Sequence, residues 1–218
     1  MAGAVLLPLV LLLAAGCGTF AQEYPPTGVD QLTIPTPSPN PADFVAGVDN
    51  PWLPLPAGGV RPVRVTRPGL PVAEGAVTVL ADPVEVAGVP ATAVRTAVGA
   101  TVATDYFAQD TDGNVWWLGH DDPVPALSWR AGTAGARAGL AMPATPRVGD
   151  GFRRALAPGV EERVARVVEI APEEPRAPEQ VVLEVTSPLD AAYEARETYR
   201  RGAGLVSRSG SEGLQRLD

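Results

Sequence analysis

Asp105 to Gly119, DYFAQDTDGNVWWLG, is the stretch whose reading decides the fold. Asp110-Thr111-Asp112-Gly113 has the chemistry of a type I turn followed by a glycine that takes positive φ without steric cost, the usual closure of a three-residue hairpin loop with a bulge. That turn predicts a register in which Asp110 faces Asn114, Gln109 faces Val115, Ala108 faces Trp116, Phe107 faces Trp117, Tyr106 faces Leu118 and Asp105 faces Gly119. With a strand period of two, Phe107 and Trp117 share one face, and Tyr106, Ala108, Trp116 and Leu118 the other. Neither face is made for water. An antiparallel hairpin that is apolar on both sides needs a second layer or a sheet curled over its own concave side. The expected fold is therefore mainly β: a single antiparallel, strongly curved sheet, either a half-barrel or a sandwich.

Working outward, short β-favouring runs punctuated by Gly and Pro precede the hairpin at Val60 to Thr66, Gly75 to Leu80, Ala91 to Val98 and Thr101 to Gln109. Ala126 to Arg130, Gly151 to Ala157, Gln180 to Ser187, Tyr193 to Tyr199 and Leu205 to Arg208 follow it in the same manner. The spacing leaves no room for crossover helices. Val160 to Ile170 fits both helical and strand periodicity, and its β-branched content favours a strand. Ala131 to Pro146 is small and Gly-rich and reads as a covering loop anchored by Leu140 and Met142. Trp52 and Leu55, set among prolines in NPWLPL, read as a plug for one end of the core. Ala171 to Pro178 reads as an exposed acidic loop. The β domain is expected over residues 44–208, with 209–218 as a C-terminal tail.

Ala4 to Ala15 is an unbroken apolar run of signal-peptide length, too short to span a bilayer comfortably. It ends in Ala14-Ala15-Gly16-Cys17, which resembles a bacterial lipobox, and Cys17 is the sole cysteine of the chain. A single cysteine in an exported chain forms no internal disulfide, so lipidation accounts for it better than redox chemistry. The expectation is a signal peptide over 1–16, a diacylglyceryl anchor on Cys17 holding the protein to the outer face of the cell membrane, and a Pro-rich extended tether over 17–43. Thr19-Phe20-Ala21 offers the alternative of a cleaved, freely secreted protein.

All 17 basic side chains are Arg, and 25 acidic ones give a net charge of -8 and a pI near 4.7. That balance argues against nucleic acid or an anionic membrane surface as a partner. Arg61, Arg64 and Arg67 read as a solvated strand edge. Catalytic material is thin. Ser211 lies in SGSEG, which lacks the first glycine of a nucleophile elbow. His120, the single histidine, reads as a solvated loop residue beside Asp121 and Asp122. Asp110 to Asn114 resembles the start of a calcium loop, but Asp121 stands where a bidentate Glu is needed, so a plain turn is expected. Glu184, Glu194 and Glu197 lie on strands as candidate carboxylates, with alternation turning Glu194 outward. No catalytic residue, metal site or cofactor is predicted, and the chain is not expected to be an enzyme.

NPWLPL, DYFAQDTDGNVWWLG, SWRAG, AGLAMPATPRVGD and ETYRRGAGLV, in that order, resemble a family of bacterial secreted proteins and lipoproteins of the high-GC, actinobacterial type. The resemblance spans Asn50 to Val206 and implies an exported β-rich domain without an assigned activity. The chain departs from the pattern at His120, where a Glu is usual, and at Ala155 and Arg163, where Glu and Asp tend to stand.

The functional expectation is a non-catalytic binding or scaffolding module in the cell envelope. The alternatives are a carrier of a small apolar ligand within the curved sheet, and a hydrolase using paired carboxylates. If the concave side is a pocket, Trp117, Trp129, Leu140 and Met142 are the residues expected to line it; if it is packed, they are core.

Overall fold

The computed structural model describes residues 40–172 and 179–217. The leader, Cys17 and most of the tether lie outside these residues, as do positions 173–178 of the acidic loop. The strands are β1 (Phe44–Val45), β2 (Val60–Thr66), β3 (Ala73–Val79), β4 (Val84–Val86), β5 (Val89–Val98), β6 (Thr101–Asp110), β7 (Val115–Asp121) and β8 (Trp129–Arg130). They continue with β9 (Arg137–Met142), β10 (Gly151–Ala157), β11 (Glu161–Ala171), β12 (Gln180–Thr186), β13 (Glu194–Arg200), β14 (Gly204–Gly210) and β15 (Gly213–Leu217). Every pairing is antiparallel. The order β6-β5-β3-β2-β15-β14-β13-β12-β11-β10-β9-β7 returns to its start because β7 also pairs with β6, so the curved sheet closes into a barrel of twelve strands.

Two segments complete the ring where the sequence reads as loop or tail. β9 lies inside the stretch expected to cover the sheet and instead joins β7 to β10. Its small residues serve close approach rather than mobility: a Cβ on Gly139 would sit 2.3 Å from the carbonyl carbon and oxygen of Arg154. β15 lies beyond Arg208 and pairs Leu214 to Leu217 with Thr66 to Val63 of β2, stitching the end of the barrel sequence to its beginning. The ambiguous Val160 to Ile170 segment is strand, in β11.

The central hairpin keeps its expected register from Gln109–Val115 to Phe107–Trp117. It then slips by one residue at a bulge, so that Tyr106 faces Gly119 and Asp105 faces His120. The turn is held by Asp110, whose Oδ1 accepts from the backbone N–H of Asp112 and Asn114 while its Oδ2 accepts from the Trp116 indole. Gly113 takes φ 87° there.

The NPWLPL segment folds against this hairpin. Asn50 donates to the carbonyls of Gly113 and Pro143 and accepts from the Trp52 N–H, while Gln109 Oε1 accepts from the N–H of both Asp49 and Asn50. These bonds satisfy a buried loop backbone and set Trp52 into the main core. On the outer wall, half-exposed Arg196 bridges Glu169 and Glu184 at 2.9 and 3.3 Å across β11, β12 and β13. This stretch of the outer wall therefore presents a charged network across three strands.

The β9–β10 seam generates a prediction. Gly139→Ala is expected to destabilise the fold by about 1–3 kcal/mol through overpacking against backbone that cannot yield. Gly151→Ala, whose Cβ would come no nearer than 3.9 Å to another residue, should stay within about 0.5 kcal/mol. Chemical denaturation of the two variants beside the wild type measures both; equal stability would refute the close-approach account.

Candidate functional site

Strand alternation in β13 turns Ala195, Glu197 and Tyr199 inward and leaves Glu194, Arg196 and Arg200 exposed. Glu197 is fully buried, and its carboxylate is shared three ways. Arg154 Nη1 and the Tyr199 hydroxyl donate to Oε2 at 2.5 and 2.6 Å, and Arg208 brings Nε and Nη2 to Oε1 at 2.9 and 2.7 Å. Arg154 stands at a break in strand register, and Arg208, which pairs opposite Glu197, lies two residues beyond another. Arg154 is the extra residue where β10 skips a pairing with β11 between Arg153 and Ala155, and β14 is offset against β13 between Thr198 and Tyr199. A bulge re-aims side chains in this way, here into the barrel.

Burial alone would raise the Glu197 pKa, but the adjacent Arg154 and Arg208 charges and the Tyr199 hydrogen bond override it and hold it down at about 2. Glu197 is therefore ionised at any physiological pH. The Tyr199 hydroxyl is pushed up by its burial and by the Glu197 charge. Two guanidiniums share one carboxylate, so the cluster carries an excess positive charge. Arg154 is 7% exposed, and its Nε is buried with no acceptor among the described residues. An orphaned donor of that kind costs about 1–3 kcal/mol.

A second group comes from the slipped hairpin. The bulge brings Asp105 opposite His120, and Asp105 Oδ1 lies 2.7 Å from Nδ1, with Asp122 Oδ2 3.6 Å from Nε2. His120 is thus a strand residue tied to carboxylates rather than a solvated loop histidine. Its burial lowers the pKa, but the Asp105 hydrogen bond and the Asp105 and Asp122 charges more than offset this, leaving the pKa above 6.5. Trp117 meets the His120 ring edge-on at 6.1 Å. Nearby, burial raises the Glu161 pKa against the opposing pull of Arg163, whose guanidinium covers the Tyr193 ring.

These groups line two compartments. The larger, about 470 Å³, is touched by β2, β3, β5, β6, β7, β10, β13, β14 and β15, so it is the part of the barrel lumen that the packed core leaves unfilled. Its wall is mostly apolar, including Leu53, Leu55, Val77, Val94, Phe107 and Leu205, and Arg61 lies at its margin donating to the carbonyls of Ala203, Leu205 and Leu217. The smaller, about 370 Å³, is polar, with Asp122, Glu161, Arg163, Glu197 and Glu212. Asp105, Phe107, His120, Arg154 and Arg208 belong to both walls. The charged cluster therefore stands at the junction.

Of the residues expected to line a pocket, Trp117 lines the polar compartment. Trp129 stacks edge-on against it at 5.2 Å within a small cluster of alanines, and Leu140 and Met142 are fully buried in the main core. The candidate carboxylates do not converge: Glu184 is half-exposed and Glu194 exposed, whereas Glu197 is inside. The arginine stripe divides, with Arg61 at the lumen, Arg64 paired with Glu74 and Arg67 bonded to the Glu212 carbonyl. Among the described residues no group of three or more His, Cys, Asp or Glu is disposed to hold a metal ion. Arg154, Arg208 and Tyr199 were not singled out from sequence. For Tyr199 the inward parity it shares with Glu197 was a usable signal; for the arginines the breaks in register conceal it.

No protein-family model, curated protein or solved structure matches the chain.

Glu197→Gln should destabilise by about 3–5 kcal/mol, because it strands two cations in the barrel, and the denaturation midpoint measures this. A folded-state pKa of about 2 against an ordinary 4.5 means that the Glu197 contribution is whole above about pH 4.5 and is lost as pH falls toward 2. His120 has the opposite sign. Its contribution is whole below 6.5 and disappears as pH rises through the higher folded value. The thermal midpoint of the wild type should therefore drop above neutral pH by more than that of His120→Gln; parallel profiles would refute the linkage.

Proposed function

We propose that the chain is an exported, lipid-anchored, non-catalytic binding module whose barrel lumen holds a small, largely apolar molecule. The observation that carries this reading is the 470 Å³ lumen, which falls within the range of about 300–1,000 Å³ typical of small-molecule sites. Its wall combines aliphatic and aromatic side chains with a few fixed polar groups, the usual composition of such a site. A ring of twelve strands supports it physically: eight strands make an interior that side chains just fill, and a wider ring leaves volume for a guest. Envelope location rests on the apolar leader and the lone Cys17 in its small-residue context.

Filling the lumen tests the binding. Ala103 lines the apolar compartment and is half-buried, so Ala103→Trp should occupy the cavity with little change in the wall. Native mass spectrometry and titration with a fluorescent apolar probe are expected to show a guest in the wild type and none in the variant. A wild type that carries no guest and takes up no probe would end the reading. Anchoring is tested by metabolic labelling with a fatty-acid analogue, expected in the wild type and absent in Cys17→Ser; equal labelling of both would exclude it.

A further inference from the structure

We infer that the lumen takes an anionic amphiphile, its carboxylate seated on Arg154 and Arg208 and its hydrocarbon chain in the apolar compartment. This rests on the lumen-binding reading above and adds the chemistry of the head group.

Arg154 and Arg208 share Glu197 as their one carboxylate. Glu197 is fully buried and forms no part of the larger compartment's wall, whereas both arginines do. A guest entering from the apolar side therefore meets guanidinium, with its compensating carboxylate set behind. Of the five N–H groups on each guanidinium, Arg154 spends one on Glu197, and Arg208 directs two nitrogens at it. The remaining donors match a second carboxylate, since guanidiniums withdrawn from water favour a bidentate anion. Arg208 is about one-third exposed and lines the larger compartment as well as the polar one.

The other ionisable groups agree with this placement. Asp105, the acid on the larger compartment's wall, is hydrogen-bonded to His120. Beyond the arginines the polar compartment is lined by Asp122, Glu161 and Glu212 with Arg163 paired to Glu161, and the remaining acidic excess resists passage of an anionic head past the junction. Arg61 lies on the apolar side and adds to the positive potential there. The head is thus stopped at the arginine pair. The chain then extends along Phe107 and Leu205 toward Leu53 and Leu55, the segment that lies against the β13–β14 turn through the Gly202 N–H to Pro51 carbonyl bond.

Calorimetric titration of the full chain with decanoate, decanol and decyltrimethylammonium separates the outcomes. Decanoate is expected to bind at least about tenfold more tightly than decanol, the effect of one charge-assisted pair, and the ammonium amphiphile more weakly than either. In Arg208→Met the preference for decanoate should collapse while decanol binding persists, which reports an intact lumen. If decanol binds as tightly as decanoate, the head-group inference fails and the lumen reading stands. If none of the three binds, both fail. A decanoate preference unchanged in folded Arg208→Met would also overturn the assignment. Should that variant not fold, the wild-type ranking of the three head groups decides alone.

Discussion

The Glu197 carboxylate, gripped by Arg154, Arg208 and Tyr199, is the interaction on which the interior of this barrel depends. β10 and β13 are separated in the sheet by β11 and β12, so the Arg154 to Glu197 contact crosses the lumen rather than running along the wall. A hydrogen-bonded wall fixes neighbours but leaves a wide ring free to flatten. A charged contact across the inside resists that flattening, and its strength comes from the exclusion of bulk water around Glu197. The apolar and polar compartments lie on either side of it.

The charged groups of the interior are placed by departures from regular pairing. A regular strand delivers every second residue to the lumen, so a sequence must either keep strict alternation or shift phase where an inward charge is required. Three shifts do this here. The slip between Tyr106 and Phe107 sets Asp105 opposite His120, the unpaired Arg154 leaves β10 out of phase for one residue, and the offset at Tyr199 changes the phase of β14 before Arg208. Further shifts between Val167 and Glu169 and between Val115 and Trp116 bend the wall without bringing a charge inward, and outward residues form ordinary surface pairs such as Arg196 with Glu169 and Glu184.

This division explains what could be read in the sequence. The hairpin turn and its first three pairs were legible because turn chemistry and cross-strand aromatics are local. The slip beyond Phe107 was not, since no propensity marks a bulge within a run as apolar as YFAQ or VWWLG. Alternation that turned Glu194 outward also turns Glu197 inward with Ala195 and Tyr199, so half of the central ion cluster was available from one strand. Arg154 adjoins Arg153 at a phase break, where parity has no meaning. Closure was hidden for another reason: β9 is built from Ala138, Gly139 and Ala141, residues that read as loop when their small size is taken for mobility rather than for contact between backbones.

The arginine pair is also a poor choice if stability were all that mattered. Replacing a buried ion cluster by packed apolar side chains of similar volume is often neutral or stabilising by about 1–4 kcal/mol, and the lumen already has aliphatic walls on one side. Here one carboxylate serves two cations, and Arg154 keeps a buried Nε without an acceptor among the described residues. A cluster selected only to hold the ring together would be expected to balance its charges and satisfy its donors. On the reading proposed above, a positive excess facing an apolar cavity has a physical use: the guanidiniums of Arg154 and Arg208 that line it offer charge to an anionic guest, whose binding then adds to stability. On that reading the same residues tie stability to occupancy, from their place at the junction of the two compartments.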